Sequence, residues 1–275
     1  EFPRLFAPDW YDPFTFDLAI NDKLAQPLPC VLLHTTDGTD ASFNGFDFLV
    51  VGGHLEARFY REWPGSAVGV RTGKVIRQGE WHRVTVTYDG SKRAAGFAIY
   101  VDGKAVELTV LRDHVDPAGA LIPGRNSERV GIGARFRDRG FKHGRVDEFR
   151  VFRAALTPLE VAQLGDPRAF DRALENHQQY RQSLRDYYDS AVDEQGIKLA
   201  AELTRARKEI VDLENSVQMV SVMRELAEPR PTYLLARGAY DAPKTDENRV
   251  ERDVFEAMLA PFPADAPRDR LVLAK

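Results

Sequence analysis

Alternation of apolar and polar side chains at every second position dominates the first half of the chain. Along 81–88, Val84, Val86 and Tyr88 fall on one face while Arg83, Thr85 and Thr87 fall on the other. Along 97–101, Phe97, Ile99 and Val101 share a face, and the two runs close on Asp89-Gly90 and Asp102-Gly103. Period-two alternation ended by Asp-Gly predicts antiparallel strands with tight reversals, one face buried and one wet. Phe46, Phe48 and Val50 alternate in the same way, as do Leu55, Ala57 and Phe59 beyond the Gly52-Gly53 turn. Val68 and Val70 follow the Trp63-Pro64-Gly65 break; Val106, Leu108 and Val110 form another run, and Val130 and Ile132 a further one. Short strands at this spacing, with no long helix between them, predict an all-β sandwich or jelly roll.

The period then changes. Thr157-Pro158-Leu159-Glu160 is a capping box with proline at the first helical position, Gly165 stops that helix, and Asp166-Pro167 starts another. Tyr180, Leu184, Tyr187 and Ala191 mark the stripe of a third helix. Leu199, Leu203, Ala206, Ile210, Leu213 and Val217 recur at intervals of four and three, the seam of a coiled coil. With the polar stretch 193–196 between them, the last two helices read as an antiparallel hairpin. Strand-like runs resume at Val217–Met223 and at Thr232–Leu235, and the charged stretch 243–252 reads as a mobile loop. The predicted architecture is therefore mainly β: a jelly roll over 1–165, a helical hairpin over 166–217 and a short mixed module over 218–275.

Two blocks carry a resemblance. Segments 80–91 (EWHRVTVTYDGS) and 96–104 (GFAIYVDGK), with 142–164 (KHGRVDEFRVFRAALTPLEVAQL), resemble the laminin-G-like, concanavalin A-like jelly-roll domain over roughly 1–165. Segments 222–243 (VMRELAEPRPTYLLARGAYDAP) and 265–275 (DAPRDRLVLAK) resemble the start of the C-terminal conserved domain of large planctomycete cytochrome-c-type proteins, where a laminin-G-like domain sits in the middle. The second resemblance implies an excised piece of a larger periplasmic or secreted protein. It also implies that other domains of that protein are partners. No Cys-x-x-Cys-His is present, so covalent c-type haem is not expected on this chain.

Candidate chemistry lies in three places. In Arg145–Phe152, Asp147 shares a face with Phe149 and Val151, and a carboxylate on the apolar side needs a partner. The jelly-roll resemblance implies that this aspartate can enter a calcium site, with Asp12 before the first core strand as its companion; the alternative is satisfaction by local amides or by Arg145. The loop 135–145 interleaves Arg135, Arg137, Arg139, Lys142, His143 and Arg145 with Phe136 and Phe141. It is either an anion-docking rim, with Arg137, Arg139 and Lys142 as ligand contacts, or a solvated loop anchored by its phenylalanines. His54, Glu56, Arg58, Tyr60 and Trp63 lie on the wet side of one hairpin and just beyond it. Trp63 and Tyr60 suit stacking on a sugar while Arg58 and Glu56 suit its hydroxyls, against the plainer reading of cross-strand pairing. Arg71, Arg83 and Thr85 extend that face if their strands are neighbours.

Composition narrows the functions. A formal net charge of −4 gives no general drive toward nucleic acid, no apolar run approaches a membrane span, and Cys30 alone excludes an intrachain disulfide. Family glycosidases carry Glu-x-Asp-x-x-Glu on one strand, and no such run exists here. Glu107, Asp113 and Asp116 surround His114, but that stretch reads as a turn; His34, His82 and His177 are isolated. The expectation is a non-catalytic module that recognises polysaccharide. A structural domain that positions a separate haem or catalytic domain is the alternative, and a glycoside hydrolase comes third.

Overall fold

In the computed structural model the described residues are 2–3, 8–23, 28–38, 43–116, 129–135, 140–217, 226, 228, 230–251, 253, 265 and 269–274. The chain divides into two units, Glu1–Gln218 and Met219–Lys275. The strands of the first are β1 (Phe2–Pro3), β2 (Phe14–Asn21), β3 (Cys30–His34), β4 (Asp37–Gly38), β5 (Phe43–Val51), β6 (His54–Glu62) and β7 (Ser66–Thr72). They continue with β8 (Trp81–Tyr88), β9 (Phe97–Val101), β10 (Lys104–Ala105), β11 (Leu108–His114), β12 (Arg129–Ile132) and β13 (Arg145–Phe152). The larger sheet runs β1-β12-β3-β5-β6-β7-β11 with β4 beside β5, and the smaller runs β10-β9-β8-β2-β13. This is the jelly-roll sandwich that the alternation predicts.

The inner faces meet through aromatic rings. Phe14 and Phe16 of β2 touch Phe46 of β5 at centroid distances of 4.9 and 5.5 Å, and Tyr88 of β8 meets Phe59 of β6 at 5.7 Å. All five rings are fully buried, and each such burial contributes about 1.5–3 kcal/mol. Cys30 is a buried free thiol in the same core. The reversal after β8 is tight because Gly90 has φ +74° and lies against Tyr11; a Cβ there would sit 2.4 Å from the Tyr11 carbonyl oxygen. Glycine is required at that position.

One strand departs from simple alternation. β13 pairs Asp147 with Ala19 and Arg150 with Asp17, so one extra residue is accommodated between them. Glu148 takes it up in a left-handed conformation, φ 49°. Such a bulge reverses the facing of residues on one side of it. Val146, Phe149 and Val151 pack on the core, while Asp147 is exposed. The expectation that Asp147 points to the apolar side is thereby corrected. A second correction concerns Asp113 and His114, which lie in β11 rather than in a turn.

Helix α1 (Pro158–Gly165) starts at the predicted capping box, with Thr157 and Glu160 bonding each other's backbone. It packs on the outer face of the smaller sheet, where Arg150 donates to the Leu164 carbonyl at 3.1 Å. Helices α2 (Ala169–Glu175) and α3 (Arg181–Tyr187) follow, joined by an edge-on contact of Phe170 with Tyr187 at 4.6 Å. A short π-helical turn, Tyr188–Val192, leads to α4 (Glu194–Ser216), whose N-cap Asp193 accepts from the Gly196 amide at 2.7 Å. The hairpin packing expected for the α4 seam is not what its surface shows. Leu199, Leu203, Ile210, Leu213 and Val217 are 51–69% exposed, and Val211, on another face, is the residue of α4 that reaches the core. α3 sets Tyr187 against Phe170 of α2 and is only seven residues long, too short to cover a 23-residue partner. Lys92 pairs with Glu214, and Arg207 donates to the Asp89 carbonyl at 2.5 Å, which fixes α4 to the β8–β9 turn.

In the second unit β14 (Thr232–Tyr233) pairs with β15 (Arg249–Val250), and α5 (Arg270–Leu273) is one short turn. The stretch read as a mobile loop contains β15 and a turn tied by Thr245 and Asn248, whose side chains bond each other's backbone. Short-range capping supplied the order that its apolar content did not predict. The strand expected at 217–223 and the apolar residues 254–259 lie outside the described residues, apart from Val217.

Core and seam differ in their expected response to truncation. Phe14→Ala should lose about 3–5 kcal/mol of stability in a denaturant titration, while Leu203→Ala should stay within about 0.5 kcal/mol of the parent.

Candidate functional site

The outer face of the larger sheet should be wet by alternation, yet it carries two fully buried carboxylates. β3, β5, β6 and β7 align His34, Asp47, Arg58 and Gly69 in one row across the strands, and Leu49, Glu56 and Arg71 in the next. Glu56 is 1% exposed and Asp47 0%. Each is held by arginine. Glu56 accepts from Arg71 Nε at 2.6 Å through one oxygen and from Arg58 Nε at 2.9 Å through the other. Asp47 Oδ2 accepts from the Tyr60 hydroxyl at 2.6 Å and from Arg135 at 2.7 Å. Burial, then the charge of Asp47, pushes the Tyr60 phenol well above its usual range.

Aromatic rings cover these pairs. The Arg58 guanidinium lies 4.4 Å from the Trp63 ring centre, Tyr60 meets Trp63 edge-on at 6.0 Å, and Arg135 stacks on Phe43 at 4.1 Å. Trp63 folds back over β7 because Gly69 leaves room; a Cβ there would be 2.9 Å from two indole carbons. The result is a belt in which three guanidiniums face two buried carboxylates, one positive charge in excess. Asp47 Oδ1 is buried and has no donor among the described residues. A buried acceptor left unmade costs about 1–3 kcal/mol.

The sequence candidates sort as follows. Arg58, Tyr60 and Trp63 are brought together, but Tyr60 is a buried strut rather than an open platform. Arg71 joins them. Arg83 and Thr85 belong to the other sheet, where both donate to the buried carboxylate of Asp17, at 2.6 and 2.7 Å. Arg137 and Arg139 lie outside the described residues. Arg135, at the start of the same basic loop, bonds Asp47 and Tyr60, so that loop is rooted on the belt. Lys142, nearby in the chain, is exposed. Arg135 was the residue missed as a site member, and only the fold could reveal its partners.

The proposed calcium pair is not brought together. Asp12 precedes Phe14 at one end of β2, whereas Asp147 pairs with Ala19 near the other, roughly 17 Å of strand further on. Asp12 Oδ2 accepts from the Asp9 amide at 2.8 Å, and Asp147 Oδ1 from the Glu148 amide at 2.8 Å. Burial raises the pKa of both Asp9 and Asp12. Among the described residues no group of three or more His, Cys, Asp or Glu is placed to hold a metal ion, and no helix is long and apolar enough to cross a membrane.

Residues 28–162 match the family model of the concanavalin A-like lectin/glucanases superfamily, the laminin-G-like branch. No curated protein matches the chain. Among solved structures, the binding domain of Paraclostridial Mosquitocidal Protein 1 is 18% identical with a TM-score of 0.36, covering 58% of this chain and 38% of that one. A botulinum neurotoxin serotype D/C binding domain is 14% identical with a TM-score of 0.41, covering 58% and 37%. A candidate carbohydrate binding protein from Bacteroides ovatus is 21% identical with a TM-score of 0.38, covering 59% and 42%. The chain thus spans about two fifths of the length of the solved structures that it resembles.

The belt has a pH signature. Burial first, and then the positive charge of Arg135, holds the His34 imidazole below its ordinary value of 6.5. The unfolded chain takes up that proton as pH falls below 6.5, while the folded chain resists it. The stability contribution of neutral His34 is therefore complete above pH 6.5 and is lost as pH falls through the window beneath. The raised pKa values of Asp9 and Asp12 act oppositely, adding stability as pH falls toward 3.8. Subtracting the stability curve of His34→Gln from that of the parent should isolate the histidine contribution, positive in slope below pH 6.5 and flat above.

Proposed function

We propose that this chain is a non-catalytic polysaccharide-recognition module of a larger exported protein, and that the belt on the larger sheet, with its basic loop, is the contact surface. The observation that carries the reading is the set of three arginines fixed by the buried carboxylates of Asp47 and Glu56, with Trp63 covering Arg58. Arg71, the most exposed of the three, is held by buried Glu56 through Nε and meets a ligand with little further loss of side-chain entropy. The excess positive charge, continued by Arg137, Arg139 and Lys142 along the chain, favours glycans bearing carboxylate or sulfate groups. The match of residues 28–162 to a lectin/glucanase superfamily supports the same reading.

The belt argues against hydrolysis. Both oxygens of Glu56 are held by arginines and Asp47 is wholly buried, so neither carboxylate is placed to donate a proton or activate water on a bound glycan. Affinity electrophoresis through gels containing alginate, polygalacturonate or neutral glucan provides the check. The parent chain should be retarded most by the acidic gels, and Trp63→Ala or Arg139→Ala should reduce that retardation several-fold. Equal mobility in every gel would refute the proposal.

A second reading is favoured by α4. Its exposed seam of Leu199, Leu203, Ile210, Leu213 and Val217 suits the face of another domain in a scaffold that positions a haem or catalytic unit. Leu203→Glu combined with Leu213→Glu should abolish capture of the remaining domains of the parent protein while leaving the melting temperature unchanged. Persistent capture would remove this reading.

A further inference from the structure

The bulge in β13 does more than displace Asp147 from the core; it builds one wall of a cleft on the outer face of the smaller sheet. The cleft has a volume of about 300 Å³ and is lined by Ala19, Trp81, His82, Arg83, Asp147 and Glu148. Its floor is a consequence of residue size. Arg83 of β8, Ala19 of β2 and Asp147 of β13 form one row across three strands, so a methyl group stands between two long side chains. Trp81, two residues before Arg83 on the same strand face, forms the end wall and is 48% exposed.

The polar groups are already ordered. Arg83 is held from below by the buried Asp17 at 2.6 Å and pairs laterally with Glu148. Glu148 holds a left-handed backbone at the bulge, φ 49°. Asp147 commits one oxygen to the Glu148 amide at 2.8 Å and turns the other outward. A half-exposed indole, a free carboxylate oxygen and a fixed guanidinium–carboxylate pair thus converge on a shallow space at the small end of ligand-site volumes.

That combination selects a ligand class. A hydroxyl donates one hydrogen bond and accepts another, so a polyol can use Asp147 and Glu148 as acceptors and Arg83 as donor. An acidic sugar would meet Asp147 and Glu148 with like charge, whereas the charge of Arg83 is already answered by Asp17 and Glu148, so an uncharged hydroxyl ligand needs no counter-ion there. The indole suits the C–H face of a pyranose ring. We propose that this cleft binds one neutral pyranose unit of a glycan chain, at a subsite separate from the belt on the larger sheet. The inference rests on the reading of the chain as a polysaccharide-recognition module, and adds a second contact point that favours uncharged sugar.

Tryptophan fluorescence tests it, because Trp81 is half exposed, Trp10 is buried, and Trp63→Ala removes the signal of the third indole, which belongs to the belt. The intact chain is titrated with cello-, manno- and xylo-oligosaccharides, with oligogalacturonate and with chitosan oligomers. At least one neutral series should shift the emission, and Trp81→Ala should abolish the shift and weaken binding about tenfold, the equivalent of roughly 1.4 kcal/mol. Asp147→Asn, which keeps the side-chain shape, should weaken it several-fold, and Trp63→Ala should leave it intact. Equal affinity in Trp81→Ala and the parent, or stronger binding of chitosan oligomers than of every neutral series, would overturn the cleft. If glycan is still retained by Trp81→Ala and lost only in Trp63→Ala, the cleft alone fails. A parent chain that binds no glycan at all removes the module reading as well.

Discussion

The fold rests on rings that reach across the middle of the sandwich. Phe14, Phe16 and Tyr88 from one sheet interlock with Phe46 and Phe59 from the other, and interiors of this kind are as tightly packed as organic crystals. A slip of one residue in any of these strands would turn its aromatic set outward, so pairing register is strongly specified. With the register fixed, the outward rows are fixed too. His34, Asp47, Arg58 and Gly69 fall in one line, and Arg83, Ala19 and Asp147 in another, only because their inward neighbours cannot move.

Both outer faces use the same device for holding charge. Asp17 on one sheet and Asp47 and Glu56 on the other are each less than 2% exposed, and each is met by at least one guanidinium. Burying such pairs is a poor source of net stability, because desolvation cancels most of the attraction. Their value lies in position: an arginine gripped from below has few rotamers left to lose when it meets a ligand. The surfaces therefore combine high polarity with little local freedom.

Much of this was legible in the chain. Alternation and Asp-Gly turns located β8 and β9, and Thr157 with Glu160 located the start of α1. The β13 bulge was not read, although its signal was present. Val146, Phe149 and Val151 are spaced three and then two apart, and the polar doublet Asp147-Glu148 between them marks the extra residue. Reading Asp147 with Phe149 and Val151 as one face ignored it. The seam of α4 is legible as an apolar stripe at heptad spacing, but a pattern names a stripe without saying what covers it. The belt was half read: Arg58, Tyr60 and Trp63 were chosen for a sugar platform, whereas Tyr60 serves as a strut and Arg135 completes the set. Partners that lie 75 and 88 residues away in sequence, as Tyr60 and Asp47 do from Arg135, leave no local pattern.

The attachment of α4 has a mechanical consequence. A helix of 23 residues is about 35 Å long, and its links to the β8–β9 turn, at Arg207, Val211 and Glu214, all fall in the C-terminal half. Asp193 caps the opposite end, where little is buried. Force applied at that end, through the turn that joins α4 to α3, would reach those links with the leverage of the whole helix.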